Sequence, residues 1–314
     1  MARYAKKLPQ LDGGRFLTYV GMETDLLFTE GVDLPGFATY PFLETEKGRA
    51  LLKQYIQNLI EVARKFDLGV ILESHTWVAN RDRGAAIGYT PATLKDRNIQ
   101  SIEFLVAARE AFGDLPTLIS ANVGPRADAY APSEQMSADQ AEEYHSEQIG
   151  ILAKTEADLI SGYTMAYPEE AIGMVQAAQK HKVPIVIAFT VETDGSLPTG
   201  LSLGDAIEAV DQSTDGYASY FMINCAHPDH FGQILSNAPW MNRLKGIVAN
   251  ASRCSHEELD ESEVLDDGHP EELGQQLANI HRMYPNINIL GGCCGTDMRH
   301  LACIAKSLRT VNVG

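Results

Sequence analysis

Two adjacent cysteines, Cys293 and Cys294, are the residues of this chain best suited to chemistry. They follow an apolar run and lie within the sequence Gly-Gly-Cys-Cys-Gly-Thr-Asp (291–297). Adjacent side chains point apart in regular structure, so the two thiols can converge only on an irregular backbone, which the glycines permit. A third cysteine, Cys225, ends a similar apolar run. Three cysteines at the carboxyl ends of two strands predict a zinc site with one open coordination position.

The same cysteines are compatible with other roles. A lone Cys225 after a strand is usually a small buried residue. Cys293 and Cys294 also fit core packing or a strained vicinal disulfide. A zinc hydrolase is disfavoured, because such sites use histidine and carboxylate ligands around an activated water. Of the remaining cysteines, Cys303 falls at a core position of the last helical pattern and Cys254 falls in a loop.

The elements that must position these cysteines alternate along the chain. Helical patterns separate eight apolar runs that qualify as strands, which lie near residues 8–11, 69–72, 117–119, 158–160, 185–189, 220–223, 246–248 and 287–290. This alternation, over 314 residues, predicts an α/β fold, a (β/α)8 TIM barrel that forms a single domain over residues 1–314. A doubly wound open sheet would give a similar pattern.

Polar residues cluster just after the predicted strands. They are Asp12, Glu73, His75, Asn122, Thr164, Thr190, Glu192, Asn224 and Asn250. Each alone is typical of a turn or a helix cap, but a barrel places its active site at the carboxyl ends of its strands. Their joint placement beside the three cysteines therefore predicts a binding site there. Two long irregular segments, 21–46 and 251–269, are typical of binding loops or lids.

Charge and composition limit the partners and the compartment. The formal charge of −17 repels nucleic acid and anionic lipid. The amino terminus lacks the apolar core of a signal peptide, and no run approaches the ~20 apolar residues of a membrane span. Five cysteines, two of them adjacent, do not make a disulfide framework, so we expect a reduced, cytoplasmic protein. Small molecules are the expected partners, and a homo-oligomer is left open.

The chain resembles the homocysteine S-methyltransferases over nearly its whole length. The matching motifs are Asp12-Gly13-Gly14, Asn122-Val123-Gly124-Pro125, Asn224-Cys225 with Pro228, and residues 291–296 with His300. The resemblance implies a (β/α)8 barrel whose Zn²⁺ is held by three cysteines, here Cys225, Cys293 and Cys294. It also implies that the Asp12-Gly13 turn borders the substrate, with Asp12 helping to hold the ammonium group of the acceptor.

The chemistry of methyl transfer explains why such a site needs thiolate ligands. A free thiol has a pKa of ~8.5 and is mostly protonated at neutral pH. Zinc deprotonates a coordinated thiol, and three cysteine ligands leave a fourth position for the substrate sulfur. The resemblance therefore implies a zinc-dependent S-methyltransferase. It would move a methyl group from a small onium donor (S-methylmethionine, betaine or S-adenosylmethionine) to homocysteine and give methionine.

One departure from the family concerns the acceptor. The family commonly carries Glu-Thr after the fourth strand, and the glutamate holds the amino group of homocysteine; this chain has Tyr163-Thr164. A phenol accepts a hydrogen bond but gives no neutralising charge near pH 7. Either Glu73 or Glu192 replaces the missing acid, or the acceptor is a different thiol. In the second case, glutamate at position 163 should improve the use of homocysteine.

Two further alternatives stay open. The sequence Glu73-Ser74-His75-Thr76-Trp77 after the second predicted strand is unusual for the family. Trp77 fits either a cation–π contact with a sulfonium, worth ~0.5–2 kcal/mol, or packing in the wall of the site. A non-catalytic zinc-binding barrel, which would bind zinc without turnover, is the alternative from a different functional class.

Overall fold

The computed structural model describes residues 2–112, 114–132 and 134–309, and its centre is a closed barrel of eight parallel strands. The strands are β1 Phe16–Thr18, β2 Gly69–Glu73, β3 Thr117–Val123, β4 Leu159–Met165, β5 Ile185–Phe189, β6 Phe221–Asn224, β7 Leu244–Ala249 and β8 Ile289–Gly292. Each strand pairs with the next, and β8 pairs with β1. The predicted (β/α)8 barrel is confirmed; both ends of the predicted domain, Met1 and 310–314, lie outside the described residues.

Helices connect the strands on the outside of the barrel. They are α1 Met22–Thr24, α2 Glu46–Phe66, α3 Arg81–Ala86, α4 Pro91–Ala111, α5 Ala138–Leu152, α6 Pro168–His181, α7 Leu203–Ser213, α8 Pro228–Phe231, α9 His256–Asp260, α10 Pro270–Met283 and α11 Met298–Arg309. The Ser137–Gln140 capping box opens α5, and proline opens α6 and α10, as their sequences predict. Within the described part of the chain, no helix has the length and apolar character needed to cross a bilayer.

The core has two layers because successive strand residues face opposite sides of the barrel wall. One set, which includes Leu72 and Ile119, packs outward against helices. The other set fills the barrel interior, where Ile71, Leu118 and Tyr220 lie together. The interior is therefore packed with side chains, and a substrate can bind only at an end of the barrel.

The first predicted strand is wrong. Residues Pro9–Asp12 form a 3₁₀ turn that covers the amino end of the barrel, and β1 begins only at Phe16. Leu8 packs into the barrel interior, and the Gln10 side-chain amide donates to the Tyr220 hydroxyl at 3.1 Å. Proline cannot donate to a sheet ladder, which disfavours a strand at this point.

Candidate metal centre

The three cysteines predicted to bind metal converge at the carboxyl end of the barrel. Cys225 follows β6, whereas Cys293 and Cys294 follow β8. Their sulfur atoms all lie within 4.8 Å of one another, and the described residues contain no other such group of histidine, cysteine and acidic side chains. Cys225 is buried, and the other two are partly exposed. The cluster can therefore hold one metal ion through three thiolate sulfurs.

Cys225 takes its position from a constrained backbone. Its φ is +54°, and Thr164 at the end of β4 has a φ of +66°. Such left-handed backbone is uncommon for residues other than glycine and persists where neighbouring groups hold it. Asn224 holds this backbone in place. Its Oδ1 accepts a hydrogen bond from the Thr164 amide, and its Nδ2 donates one to the Thr164 hydroxyl, both at 2.8 Å. The predicted site residues Asn224 and Thr164 thus form a clamp beside Cys225.

The segment that carries Cys293 and Cys294 is held by the ends of neighbouring strands. The Cys293 amide donates to the Ala249 carbonyl at 2.7 Å, and the Cys294 carbonyl accepts from Ala251 at 3.0 Å. On the other side, Gly21 lies so close that a Cβ there would be 2.2 Å from the Cys293 carbonyl oxygen. Only glycine fits this close approach.

Three polar side chains surround the Cys225 sulfur and its backbone. The Tyr130 hydroxyl donates to Cys225 Sγ at 3.1 Å, and Asn250 Nδ2 lies 3.6 Å from the same sulfur. His256 Nε2 donates to the Cys225 carbonyl at 2.8 Å, while its Nδ1 lies 3.1 Å from Glu192. The Tyr130 and His256 rings lie 4.1 Å apart between centroids. These contacts orient Cys225 and offset negative charge on its sulfur.

The electrostatics favour a thiolate at Cys225. Hydrogen bonds from the Cys293 and Cys294 thiols outweigh burial and lower the pKa of Cys225 well below its usual range. The same hydrogen bonds to Cys225 raise the pKa of both partners. Burial lowers the pKa of His256, but the nearby Cys225 thiolate and Glu192 raise it overall.

A cavity of about 490 Å³ opens beside the cysteines at this end of the barrel. Its volume lies in the range of about 300–1,000 Å³ that is typical of small-molecule sites. Six aromatic side chains contribute to its wall: Tyr19, Phe28, Phe37, Trp77, Tyr130 and Tyr163. Both long irregular segments line it, as their lengths predict, through residues that include Glu23 and Leu27 on the first and His256 and Val264 on the second.

The predicted site residues divide into three groups. Trp77, Tyr163, Thr164 and Asn224 line the cavity with the three cysteines. Glu73 lies beneath the cavity in the barrel interior, where it contacts Tyr163 from below. Asp12 and Gly13 lie at the opposite end, because they precede β1.

The placement of Asp12 corrects the expectation that it holds the acceptor. Its side chain is exposed and pairs with Lys7 at 2.9 Å. The expectation depends on the family motif and on a strand at residues 8–11, which would place Asp12 at a carboxyl end. The 3₁₀ turn moves both residues to the amino end of the barrel, away from the cysteines.

Glu73 is a buried acid held by hydroxyl groups. Ser161 Oγ donates to it at 2.8 Å and the Tyr163 hydroxyl donates at 3.2 Å, while its exposure is 8%. Burial raises the pKa of Glu73 from 4.5 to about 7, although these hydrogen bonds favour the charged form. Glu73 therefore supports Tyr163 from inside the barrel.

The raised pKa of Glu73 predicts a pH-dependent stability. The folded state holds this proton more tightly than the unfolded chain, so its free energy of unfolding falls as pH rises from 4.5 to about 7. At about 1.4 kcal/mol per pKa unit, the loss is about 3 kcal/mol. We expect Glu73→Gln to abolish this loss in urea unfolding measured from pH 4 to 8. The exposed Glu263→Gln change is the control, and equal pH profiles for Glu73→Gln and wild type would contradict the assignment.

Several site residues escape sequence-based prediction. Glu23, Arg83, Tyr130 and His256 line the cavity, yet none follows a strand directly. The signal for Glu23 and His256 was limited to their placement in long irregular segments, and no pattern marks Arg83 or Tyr130. Only the packing of the loops and of α3 around the barrel brings these four side chains to the cavity.

Known proteins share both the sequence pattern and the fold. Residues 22–308 match the family model described as homocysteine S-methyltransferase. The match begins at Met22, so the Asp12-Gly13-Gly14 motif lies outside it. Homocysteine S-methyltransferase 3 of Arabidopsis thaliana is 25% identical over 203 residues, which cover 62% of this chain and 58% of that protein. The alignment thus spans less than two thirds of this relative.

A second plant relative and a bacterial crystal structure extend the comparison. Homocysteine S-methyltransferase 1 of Arabidopsis thaliana is 23% identical over 252 residues, 72% of this chain and 74% of that protein. The homocysteine methyltransferase MmuM from Escherichia coli, in its metallated form, shares the fold with a TM-score of 0.69. It is 19% identical, and the alignment covers 95% of this chain and 98% of that chain. Because the family model spans most of the chain and its closing motif carries two of the clustered cysteines, the chain belongs to the homocysteine S-methyltransferase family.

Proposed function

We propose that this protein is a zinc-dependent methyltransferase that moves a methyl group from a small onium compound to homocysteine, giving methionine. The observation that supports it most is the cluster of three cysteine sulfurs, within 4.8 Å of one another, in the wall of a cavity of about 490 Å³. Family membership supports the same reaction. Both substrates are small molecules that fit a cavity of this size.

The donor set of the cluster fits zinc. Soft thiolate ligands favour zinc over hard cations such as magnesium or calcium. Zinc–sulfur bonds of ~2.3 Å in a tetrahedral site place ligand sulfurs roughly 3.8 Å apart, within the 4.8 Å limit of this cluster. Cys225, Cys293 and Cys294 would hold the zinc ion, which would supply a fourth position that favours the thiolate form of the acceptor.

In this proposal, the residues around the cluster hold the reacting groups in position. The acceptor sulfur uses an electron pair to form a bond to the methyl carbon, and the methyl–onium bond breaks with its electron pair left on the donor atom. No proton moves in this step, so the chain needs to orient the reactants more than to supply a base. Tyr130 and Asn250 donate toward Cys225 Sγ, while Asn224 fixes the turn that carries this sulfur.

We propose Glu23, one of the acids that line the cavity, as the residue that binds the ammonium group of the acceptor. The two acids suggested by the sequence are already engaged, since Glu192 contacts His256 and Glu73 lies beneath Tyr163. Glu23 lines the cavity itself and accepts a hydrogen bond from Tyr19, which packs with Cys293 in one apolar cluster. Burial raises the pKa of Glu23, and an ammonium group beside it would favour its charged form.

Isotope-labelled homocysteine tests the proposal directly. The zinc-loaded, reduced protein is incubated with ¹³C-labelled homocysteine and S-methylmethionine, and labelled methionine is measured by mass spectrometry. Enzyme-free and chelator-treated samples are the blanks, since the demethylated donor is itself unlabelled methionine. Labelled methionine that depends on enzyme and zinc would support the function. Its absence with betaine and S-adenosylmethionine as well, in protein that holds zinc, would refute homocysteine as the acceptor.

Tyr163 favours a second candidate function, in which the same methyl transfer occurs on a different thiol. The cavity wall has a phenol at this position where the family commonly has a carboxylate. If homocysteine fails in the assay above, a panel of thiols with and without ammonium groups distinguishes the remaining cases. Turnover of another thiol would support this candidate, and zinc binding without any turnover would support a non-catalytic barrel.

A further inference from the structure

Arg83 brings a positive charge to the cavity, and the carboxylates of Asp128 and Glu170 attract it from beyond ion-pair distance. It lies on α3 and lines the cavity, and its Nη2 atom donates to the Ala127 carbonyl at 2.9 Å. Across residues 2–112, 114–132 and 134–309, no carboxylate oxygen lies within 4.0 Å of its guanidinium. The nearby Arg81 and Arg126 instead pair with Glu147 and Asp82, at 3.5 and 3.0 Å. In a chain of charge −17, an unpaired arginine at a cavity wall is a candidate for binding an anion.

Trp77 holds this guanidinium in place. The Arg83 guanidinium carbon lies 5.3 Å from the centroid of the Trp77 ring, within the range of a cation–π contact. The indole donates to the Tyr163 carbonyl at 3.3 Å, and the Trp77 carbonyl accepts from the Gly124 amide at 2.8 Å. A fixed ring beneath a planar cation reduces the side-chain freedom that a ligand would otherwise have to restrict.

The stacked arginine changes the expected role of Trp77. The sequence favoured either wall packing or a contact with a sulfonium, but a cation already lies over this ring. A second cation placed beside Arg83 would be repelled, whereas a carboxylate would be attracted. The charge around Trp77 therefore suits the acidic end of a ligand better than its onium end.

We infer that Arg83 binds the carboxylate of an amino acid substrate, with Trp77 as its support. This role rests on the proposed function, because homocysteine and S-methylmethionine both carry an α-carboxylate. A guanidinium can bind a carboxylate through two parallel hydrogen bonds, and only one Arg83 side-chain hydrogen bond is used within the described structure. Arg83 then selects zwitterionic amino acids over amines and thiols that lack the carboxylate.

Binding of the product tests this role without requiring turnover. Calorimetric titration compares methionine with 3-(methylthio)propylamine, which differs from it by the carboxylate. We expect Arg83→Met to weaken methionine binding at least about tenfold and to leave binding of the amine unchanged, because the variant cannot donate a charge-assisted hydrogen bond to the carboxylate. Arg83→Lys should restore part of the difference. The matched control is Arg81→Met, on the same helix and stacked over the Tyr144 ring at 4.5 Å.

Steady-state kinetics then identify whether the carboxylate contact of Arg83 is on the acceptor or on the donor. A raised KM for homocysteine in Arg83→Met, with no change for 3-aminopropane-1-thiol, would place it on the acceptor. A raised KM for S-methylmethionine alone would place it on the donor. Equal losses for methionine and its amine, or no loss for either, would overturn the role of Arg83. Wild-type protein that binds methionine through Arg83 but makes no methionine would refute only the proposed function.

Discussion

If the proposed zinc site is correct, replacing Cys294 with alanine is expected to prevent zinc binding and nearly abolish methyl transfer. Two cysteines cannot complete the tetrahedral ligand set that leaves one position for substrate. Loss of a group that merely supports a ligand costs about 10–100-fold in metal affinity or activity, and loss of the ligand itself should cost more. Zinc content is measured by mass spectrometry of the metal after dialysis, and activity by methionine formation.

The chain offers a matched control for this change. Cys303 lies on α11, is partly buried and is not part of the sulfur cluster, so Cys303→Ala should retain about one zinc ion per chain. Urea unfolding of both variants separates loss of the metal from loss of the fold. Full zinc content and unchanged methyl transfer in Cys294→Ala would show that the metal site has been assigned incorrectly.

Replacing Tyr163 with glutamate is expected to destabilise the protein instead of improving the use of homocysteine. The Tyr163 hydroxyl donates to Glu73 within the barrel, so glutamate at this position would place two carboxyl groups side by side with little access to water. Like charges in a shared buried site oppose ionisation. The expected loss in free energy of unfolding at pH 7.5 is about 3–5 kcal/mol, the usual cost of an uncompensated buried charge.

Two variants isolate the cause of this loss. Tyr163→Phe removes only one hydrogen bond to a carboxylate and should cost about 1–2 kcal/mol. Adding Glu73→Gln to Tyr163→Glu should recover at least half of the loss, because the amide can donate to the new carboxylate. The expectation would fail if Tyr163→Glu were as stable as wild type. A higher kcat/KM for homocysteine in that variant would also support the family glutamate as the missing acid.

Most of the barrel was predictable because seven of its strands contain a short, mainly apolar run that is buried on both faces. Ile185–Phe189 is the clearest example, since all five residues are buried. β1 was missed because it has only three residues and follows a proline-containing apolar turn that imitates a strand in composition. Leu8 is apolar because it packs into the barrel interior, so hydrophobicity alone cannot separate the two cases.

The cysteine site was predictable for a different reason. Cys225, Cys293 and Cys294 follow strands directly, and parallel strands in a barrel deliver such residues to one end. Glu23 and Tyr130 lie further along irregular loops, where position depends on packing against distant elements. The role of Tyr163 was also not predictable from the sequence, because its contact with Glu73 joins residues that are 90 positions apart in the chain.

The turn at Pro9–Asp12 covers the amino end of the barrel, so molecules do not pass through the barrel. Because side chains fill the barrel interior and the turn lies over its amino end, molecules reach the cavity from the carboxyl end of the barrel. In a transferase that handles two substrates, both products must leave by the route through which the next pair enters. Phe28 and Val264 are exposed on the two long irregular segments that line the cavity, so these segments present apolar side chains to molecules that enter or leave.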